Sequence, residues 1–268
     1  MNLKQISERV DKIFPDHYQQ LQWNCLVGFH GSIAYGTYVD DVPGNENFSS
    51  DIDVMGIIIP PLNYYFGLSE FGTFFPKSGT RQFKQDGIDV VVYELRKFVQ
   101  LATQGNPSVL TLLWNLPEHY IYKTGVGHSL ILNRDMFLGK HVFNAFAGYA
   151  TQQFQKMQQN KINHNTGEKR KKIIEEFGYD CENAAHLIRI LRMGIEFMRT
   201  GNLRVFRDDF ITLLDIKRGY WSLEEIIGES DTLFAQLQTS FDNSSLPPNP
   251  DYEKIDTWLT ETLMGEMK

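Results

Sequence analysis

Cysteine is almost absent. The chain of 268 residues holds two, Cys25 and Cys181, far apart. That separation excludes a disulfide framework and gives no zinc-ligand spacing. It fits a reducing compartment, so a cytoplasmic location is expected. Long apolar runs are missing too. None reaches the roughly 18 residues that a bilayer-spanning helix needs, so no membrane association is expected, and the opening MNLKQISE shows no apolar leader core. Positive charge is not in excess. Lys and Arg number 26 against 33 Asp and Glu, a formal net charge of -7. This argues against a purely electrostatic nucleic-acid binder but leaves room for a local basic groove. There is no internal repeat and no low-complexity tract.

What remains is an ordinary globular composition, 42% hydrophobic and 13% aromatic. The length suits one large domain or two modest ones. Leu3, Ile6, Val10 and Ile13 recur at helical spacing and predict a first helix. Strands are expected at residues 23–29 and 52–59, the second stopped by Pro60-Pro61. Residues 80–85 and 88–93 around Asp86-Gly87 predict a hairpin. Helices follow at 94–104, broken by Gly105-Asn106-Pro107, and at 108–114; 119–122 reads as a further strand. Beyond about residue 133 strand signals nearly vanish. Helical patterns occupy 140–159 and 180–199, the latter with Ala184, Leu187, Ile188, Leu191 and Ile195 on one face and Gly201 as its C-terminal cap. A polar break is expected at 161–167. Ser222 with Glu225 forms a capping box, and 243–250 reads as a loop. The expected organisation is α+β over residues 1–135, then all-helical over 136–268.

The chemistry gathers in GFHGSIAYGTYVDDVPGNENFSSDIDVMGIII, residues 28–59. Side chains alternate faces along a strand, so Asp51 and Asp53 point the same way. Two carboxylates held together repel and call for a proton, a cation or a basic partner. Beside phosphate oxygens they suit Mg²⁺, and a pair of such ions activates an attacking oxygen and stabilises a leaving pyrophosphate. Gly31-Ser32 ends the preceding strand and opens a short helix, 32–35, closed by Gly36. Free backbone N–H groups there face outward, the glycine admits a phosphate and the hydroxyl adds a donor. The bland alternatives are a strand-end cap for Asp51 and a helix N-cap for Ser32.

Other residues carry two readings each. His186, Arg189 and Arg192 fall three apart, either a solvated, salt-bridged helix face or a cationic wall for a triphosphate or a nucleic acid. His30 touches a phosphate or merely ends a strand. Lys169 to Lys172 contact nucleic acid or are solvated. Tyr35 and Tyr38 stack on a base or pack locally. Asp40, Asp41 and Glu46 read as loop solvation, and Glu94 as helix-start chemistry.

Gly31-Ser32, then Asp51-Ile52-Asp53, then Asp89 at the start of another apolar strand resemble the signature of the DNA polymerase β-like nucleotidyltransferase superfamily. Gly105 to Pro107 with Leu112 to Trp114, and Phe177 to Arg192, resemble more narrowly the nucleotidyltransferases associated with RNA ligases. One departure is Glu182, where that pattern has lysine. The resemblance implies a mixed-sheet catalytic domain and a helical domain that closes over it. It implies transfer of a nucleoside monophosphate from an NTP to an acceptor hydroxyl, with release of pyrophosphate. Asp51, Asp53 and Asp89 would be catalytic and would ligate two Mg²⁺ or Mn²⁺ ions. Gly31, Ser32, His186, Arg189 and Arg192 would bind the nucleotide. The acceptor implied is an RNA end. A protein or small-molecule acceptor, and a nucleotide- or RNA-binding module without turnover, are the alternatives.

Overall fold

A computed structural model describes residues 6, 8, 10, 23–41, 47–68, 71, 79–85, 87–158 and 167–266. Leu3, Ile13, Glu46, Asp86 and the break at 161–166 lie outside these. Ile6 and Val10 are helical and buried.

Five strands form one mixed sheet: β1 (Asn24–His30), β2 (Ile52–Ile58), β3 (Thr80–Gln85), β4 (Ile88–Glu94) and β5 (Tyr120–Lys123), in the order β3-β4-β2-β1-β5. β2 and β4 run parallel and the other neighbours antiparallel. The run after Asp51 is apolar because β2 is central and covered on both sides. Met55 and Ile57 belong to a large core under the helices, while Ile52, Val54 and Ile58 belong to a smaller core on the opposite face. A strand buried on two faces reads as a continuous apolar run rather than an alternation. Asp53 shares the large-core face by parity, at the end of the strand where the helices leave a cleft. Gly87 takes the left-handed conformation of the expected hairpin turn (φ 74°).

Short helix α1 (Gly31–Tyr35) follows β1 directly and ends at Gly36 in the left-handed region. A one-turn helix, α2 (Asn63–Phe66), follows β2. Glu94 caps α3 (Leu95–Thr103), accepting from the Arg96 N–H at 2.7 Å and the Lys97 N–H at 3.2 Å. Asn106 caps α4 (Pro107–Leu113) in the same way and donates to the Tyr149 hydroxyl at 3.0 Å. Gly125–Leu132 forms α5, a helix absent from the sequence reading because Gly125 and Gly127 weaken the pattern. Gly127 is there for space: a Cβ would stand 2.1 Å from the Cys25 carbonyl oxygen.

The remaining helices are α6 (Val142–Gln158), α7 (Glu168–Phe177), α8 (Cys181–Thr200), α9 (Phe210–Lys217), α10 (Leu223–Asp242) and α11 (Tyr252–Glu266). α8 is the spine of this part, packed by α6, α9 and α10. Its N-cap Asp180 accepts from the Asn183 N–H at 3.0 Å, and Gly201 closes it at φ 66°. Ser222 and Glu225 make the reciprocal capping box at the start of α10. No strand is found beyond Lys123 among the described residues. The large core nonetheless runs through both parts, joining Leu26 and Leu112 to Phe146 and Phe197.

Candidate active site

The sheet register draws a row across four strands. His30 stands opposite Asp53, Asp53 opposite Asp89, and Asp89 opposite Lys84. Side chains of paired residues project from one face, with Cβ atoms roughly 5 Å apart. Asp51, one residue before β2, lies at the same end and pairs with the Lys84 ammonium. Gln82 donates to Asp89 at 3.1 Å. This end of the sheet forms one wall of a cleft of about 510 Å³ against α7, α8 and α9.

The cradle sits beside the acids. Gly31 has φ 58°, and a Cβ on it would stand 1.9 Å from the Asp53 Oδ2. The glycine therefore makes room for a carboxylate, where sequence reasoning has it make room for a phosphate. The Ser32 hydroxyl lines the same cleft and is buried with no hydrogen-bond partner. It is not the N-cap; His30 holds that position, without a side-chain bond. An orphan hydroxyl costs free energy unless a ligand or water completes it.

Burial, then Asp89, Asp51 and Glu182, push the Asp53 carboxyl up to about 7; Lys84 opposes them. The hydrogen bond to Asp51 raises the Lys84 ammonium, aided by Asp89 and Asp53. These facts bear on a divalent ion. Three acids supply hard oxygen donors, and the Lys84 ammonium already stands where a cation is favoured. Among the described residues no three His, Cys, Asp or Glu side chains are drawn into a ready-made ligand cluster. Asp51 and Asp89 are instead turned to Lys84 and Gln82. The donor set fits a hard cation that displaces these contacts.

The opposite wall is cationic, but not as the three-residue stripe suggests. His186 and Arg189 line the cleft. Burial and the Arg189 charge hold the His186 imidazole down to about 4, against the pull of Glu182. Arg189 is buried with its guanidinium 3.7 Å from the centroid of the Tyr35 ring, which also lines the cleft. Arg192 does not reach the cleft. It bonds Asp209 at 2.6 Å and Glu229 at 2.7 Å, inside the helical part. At 100° per residue, six residues bring Arg192 about 120° around the helix from His186. Of the three residues expected to bind nucleotide from this helix, His186 and Arg189 line the cleft and Arg192 does not.

Besides Arg189, the cations that line the cleft are Lys84, Lys169, Arg170 and Lys217. Lys217 is buried and donates to the Ser50 hydroxyl at 2.7 Å. Lys169 bonds the Ser49 carbonyl oxygen and hydroxyl. Two helices thus hold two consecutive serines just ahead of Asp51. Arg170 bonds Asp180 at 2.9 Å and Glu182 at 3.5 Å. Burial works against the Glu182 charge, but His186, Lys217 and Arg170 outweigh it and keep the carboxyl below its usual range. Lys217 gave no sequence signal: one lysine at a helix end reads as solvated. Lys169 and Arg170 lay in a charge run whose solvated reading was the default. His30 bonds the Thr111 hydroxyl at 3.2 Å, and burial, Arg189 and His186 hold its imidazole down to about 4. Glu94 stays with its helix cap. No described helix is long and apolar enough to cross a membrane.

Residues 4–261 match the profile of RlaP, the RNA repair pathway DNA polymerase beta family. No curated protein matches the chain. Among solved structures, the nucleotidyltransferase-like protein from Exiguobacterium sibiricum 255-15 is similar at 8% identity, with 96% of this chain and 79% of that chain covered and a TM-score of 0.32; a likeness that low places no residues. The profile spans both the acid-bearing sheet and the helices that carry the cations, and on it the chain belongs to the RNA repair pathway DNA polymerase beta family.

Proposed function

We propose that the protein transfers a nucleoside monophosphate from an NTP to an acceptor hydroxyl on an RNA end and releases pyrophosphate. The observation that carries this reading is Asp53 facing Asp89 across parallel strands beside the orphan Ser32 hydroxyl, in a cleft with lysines on its far wall. The division at residue 135 belongs to the same reading: the first part brings the acids, the second brings Lys169, Arg170 and Lys217.

The backbone at Gly31 and the Ser32 hydroxyl bind phosphate oxygens. Lys217, Lys169 and Arg170 receive the remaining triphosphate charge, and the two lysines leave Ser50 and Ser49 to do so. Asp51, Asp53 and Asp89 would hold Mg²⁺ or Mn²⁺, which when bound stabilises charge on the phosphates and eases deprotonation of the acceptor. Asp89, on the strand next to Asp53, takes the acceptor proton or lowers its affinity through the ion. His186 and Arg189 line the same wall.

Incubation with each labelled NTP, Mg²⁺ or Mn²⁺, and separate RNA, tRNA and protein pools tests the reading. Label in RNA or tRNA supports it. Label in protein moves the acceptor class, and NTP binding without any transfer makes the protein a binding module. The RNA acceptor rests on the family's description alone.

A further inference from the structure

A second cavity, of about 420 Å³, opens at the other end of β1. Six residues of strand separate Asn24 from His30, about 20 Å, so this cavity is distinct from the acid cleft. Its described lining includes Trp23, Asn24, Pro60, Pro61, Tyr122 and Glu266. Asn24 is 4% exposed, and both its amide nitrogen and its amide oxygen are buried without a hydrogen-bond partner. A primary amide offers two donors and an acceptor with two lone pairs. Leaving both ends unmet costs each group its hydration with nothing in return. A side chain retained at that cost beside a cavity points to a ligand that completes it.

The lining says what kind of ligand. Trp23 and Tyr122 present aromatic rings and Pro60-Pro61 an apolar floor, which together suit a flat heterocycle. The Trp23 ring is steadied edge-on by Tyr64 at 6.0 Å. Tyr122 is 48% exposed, so its ring is open to a ligand. An asparagine amide matches a heterocycle edge that shows a donor beside an acceptor, as adenine does. Rotation about the last asparagine torsion is soft, so the amide turns toward the cavity at little cost. The described lining carries one carboxylate, Glu266, and no cationic side chain. That charge balance disfavours a phosphate within the cavity and leaves the base as the recognised group.

We propose that this cavity is a nucleobase-binding site, separate from the acid cleft, that holds an adenine-type base through the Asn24 amide and stacks it against Trp23 and Tyr122. The base comes from a single-stranded RNA or from a free nucleoside.

Equilibrium dialysis of the whole chain in EDTA against labelled adenosine, and against a short oligoadenylate, tests it. Saturable binding of either probe is expected, weakened at least tenfold by Asn24→Leu and by Tyr122→Ala. Tighter binding of the oligonucleotide assigns the site to an RNA strand; equal binding assigns it to the free nucleoside. Asn24→Leu removes an unpaired polar group, and its melting temperature reports whether it folds. Should it not fold, the exposed Tyr122→Ala carries the test alone. Absence of saturable binding, or binding unchanged in the folded variants, overturns the proposal.

Discussion

Asp53 and Asp89 face each other directly across the parallel strands β2 and β4, with Lys84 the next residue along the row. Burial first, and then this pairing with Asp89, push the Asp53 carboxyl up to about 7. A carboxyl raised in the folded state stabilises the fold fully below its unfolded value near 4. That contribution is lost as pH rises from there through about 7. The charged groups facing Asp53 are Asp89, Asp51 and Glu182, which raise it, and Lys84, which lowers it. In EDTA the melting temperature of Asp53→Asn should therefore exceed that of the wild type at pH 8, with the gain gone at pH 4. Mg²⁺ should raise the wild-type melting temperature and leave that of the variant unmoved. Calorimetry at the two pH values checks this; an equal gain at both would place the repulsion elsewhere.

Turnover separates the same acids. Asp53→Asn and Asp89→Asn should each lower the single-turnover transfer rate by roughly a hundredfold or more, the scale of lost acid–base help. Asp89→Asn should keep NTP affinity within a few-fold, because the Gly31-Ser32 cradle is intact. Glu94→Gln should leave transfer alone and destabilise the start of α3, since both Glu94 oxygens are used on the backbone N–H groups there. A dead Glu94→Gln beside an active Asp89→Asn would reverse the assignment.

Gly31 is constrained from two sides, by φ 58° and by Asp53 Oδ2 at 1.9 Å from a would-be Cβ. Gly31→Ala strains the backbone by about 1 kcal/mol and also displaces the Asp53 carboxylate. The expected result is loss of the Mg²⁺-induced rise in melting temperature along with loss of transfer. An alanine variant that keeps the Mg²⁺ response while losing NTP affinity would return Gly31 to a purely phosphate-facing role.

The Ser32 hydroxyl makes no bond in the protein. Its removal should cost the fold nothing, and the melting temperature of Ser32→Ala should equal or exceed that of the wild type. Binding should suffer, because a hydrogen bond to a charged oxygen contributes about 1.5–3 kcal/mol, roughly ten- to hundredfold in Kd for the NTP. Unchanged Kd would mean that the hydroxyl is met by water instead.

The placement of the acids beside Gly31-Ser32 was legible because strand periodicity puts Asp51 and Asp53 on one face, and Gly31-Ser32 ends the neighbouring strand. The strand limits were legible from Pro60-Pro61 and Asp86-Gly87. Asp89 needed more: that it meets Asp53 depends on β4 running parallel to β2, a pairing across residues far apart in the chain. The cationic wall was legible only in part, through Arg189 and the run at Lys169 and Arg170. Its members, Lys84, Lys169, Arg170, Arg189 and Lys217, come from one strand and three helices, and only tertiary packing selects them from 26 Lys and Arg. The three-residue stripe on α8 failed at Arg192 because a spacing of three drifts around a helix of 3.6 residues per turn.

That drift yields the sharpest contrast between two basic residues. Arg192 bonds Asp209 and Glu229 in the helical part, where all three side chains are largely shielded. Removing it takes the ion-pair partner from Glu229, while Asp209 keeps Arg207 at 2.9 Å. Such partly buried pairs lie between exposed ones, near zero to 1 kcal/mol, and buried ones, about 3–5. Arg192→Ala should therefore lower the melting temperature by several degrees. Its kcat and KM per folded molecule should match the wild type, since Arg192 lines no part of the cleft. Lys217 has the opposite profile. Its ammonium is buried at the cleft between Ser50 and Glu182, and burial pulls its proton affinity down against the Glu182 charge. A buried ammonium with one hydroxyl partner has donors to spare for a phosphate. Lys217→Met keeps the side-chain length and removes the charge, so KM for the NTP should rise about tenfold or more, the scale of one charged hydrogen bond. Steady-state kinetics on both variants, with melting curves in parallel, decides the matter. A raised KM for Arg192→Ala with an unchanged melting temperature would restore the helical stripe as the nucleotide-facing wall, and a normal KM for Lys217→Met would remove that lysine from it.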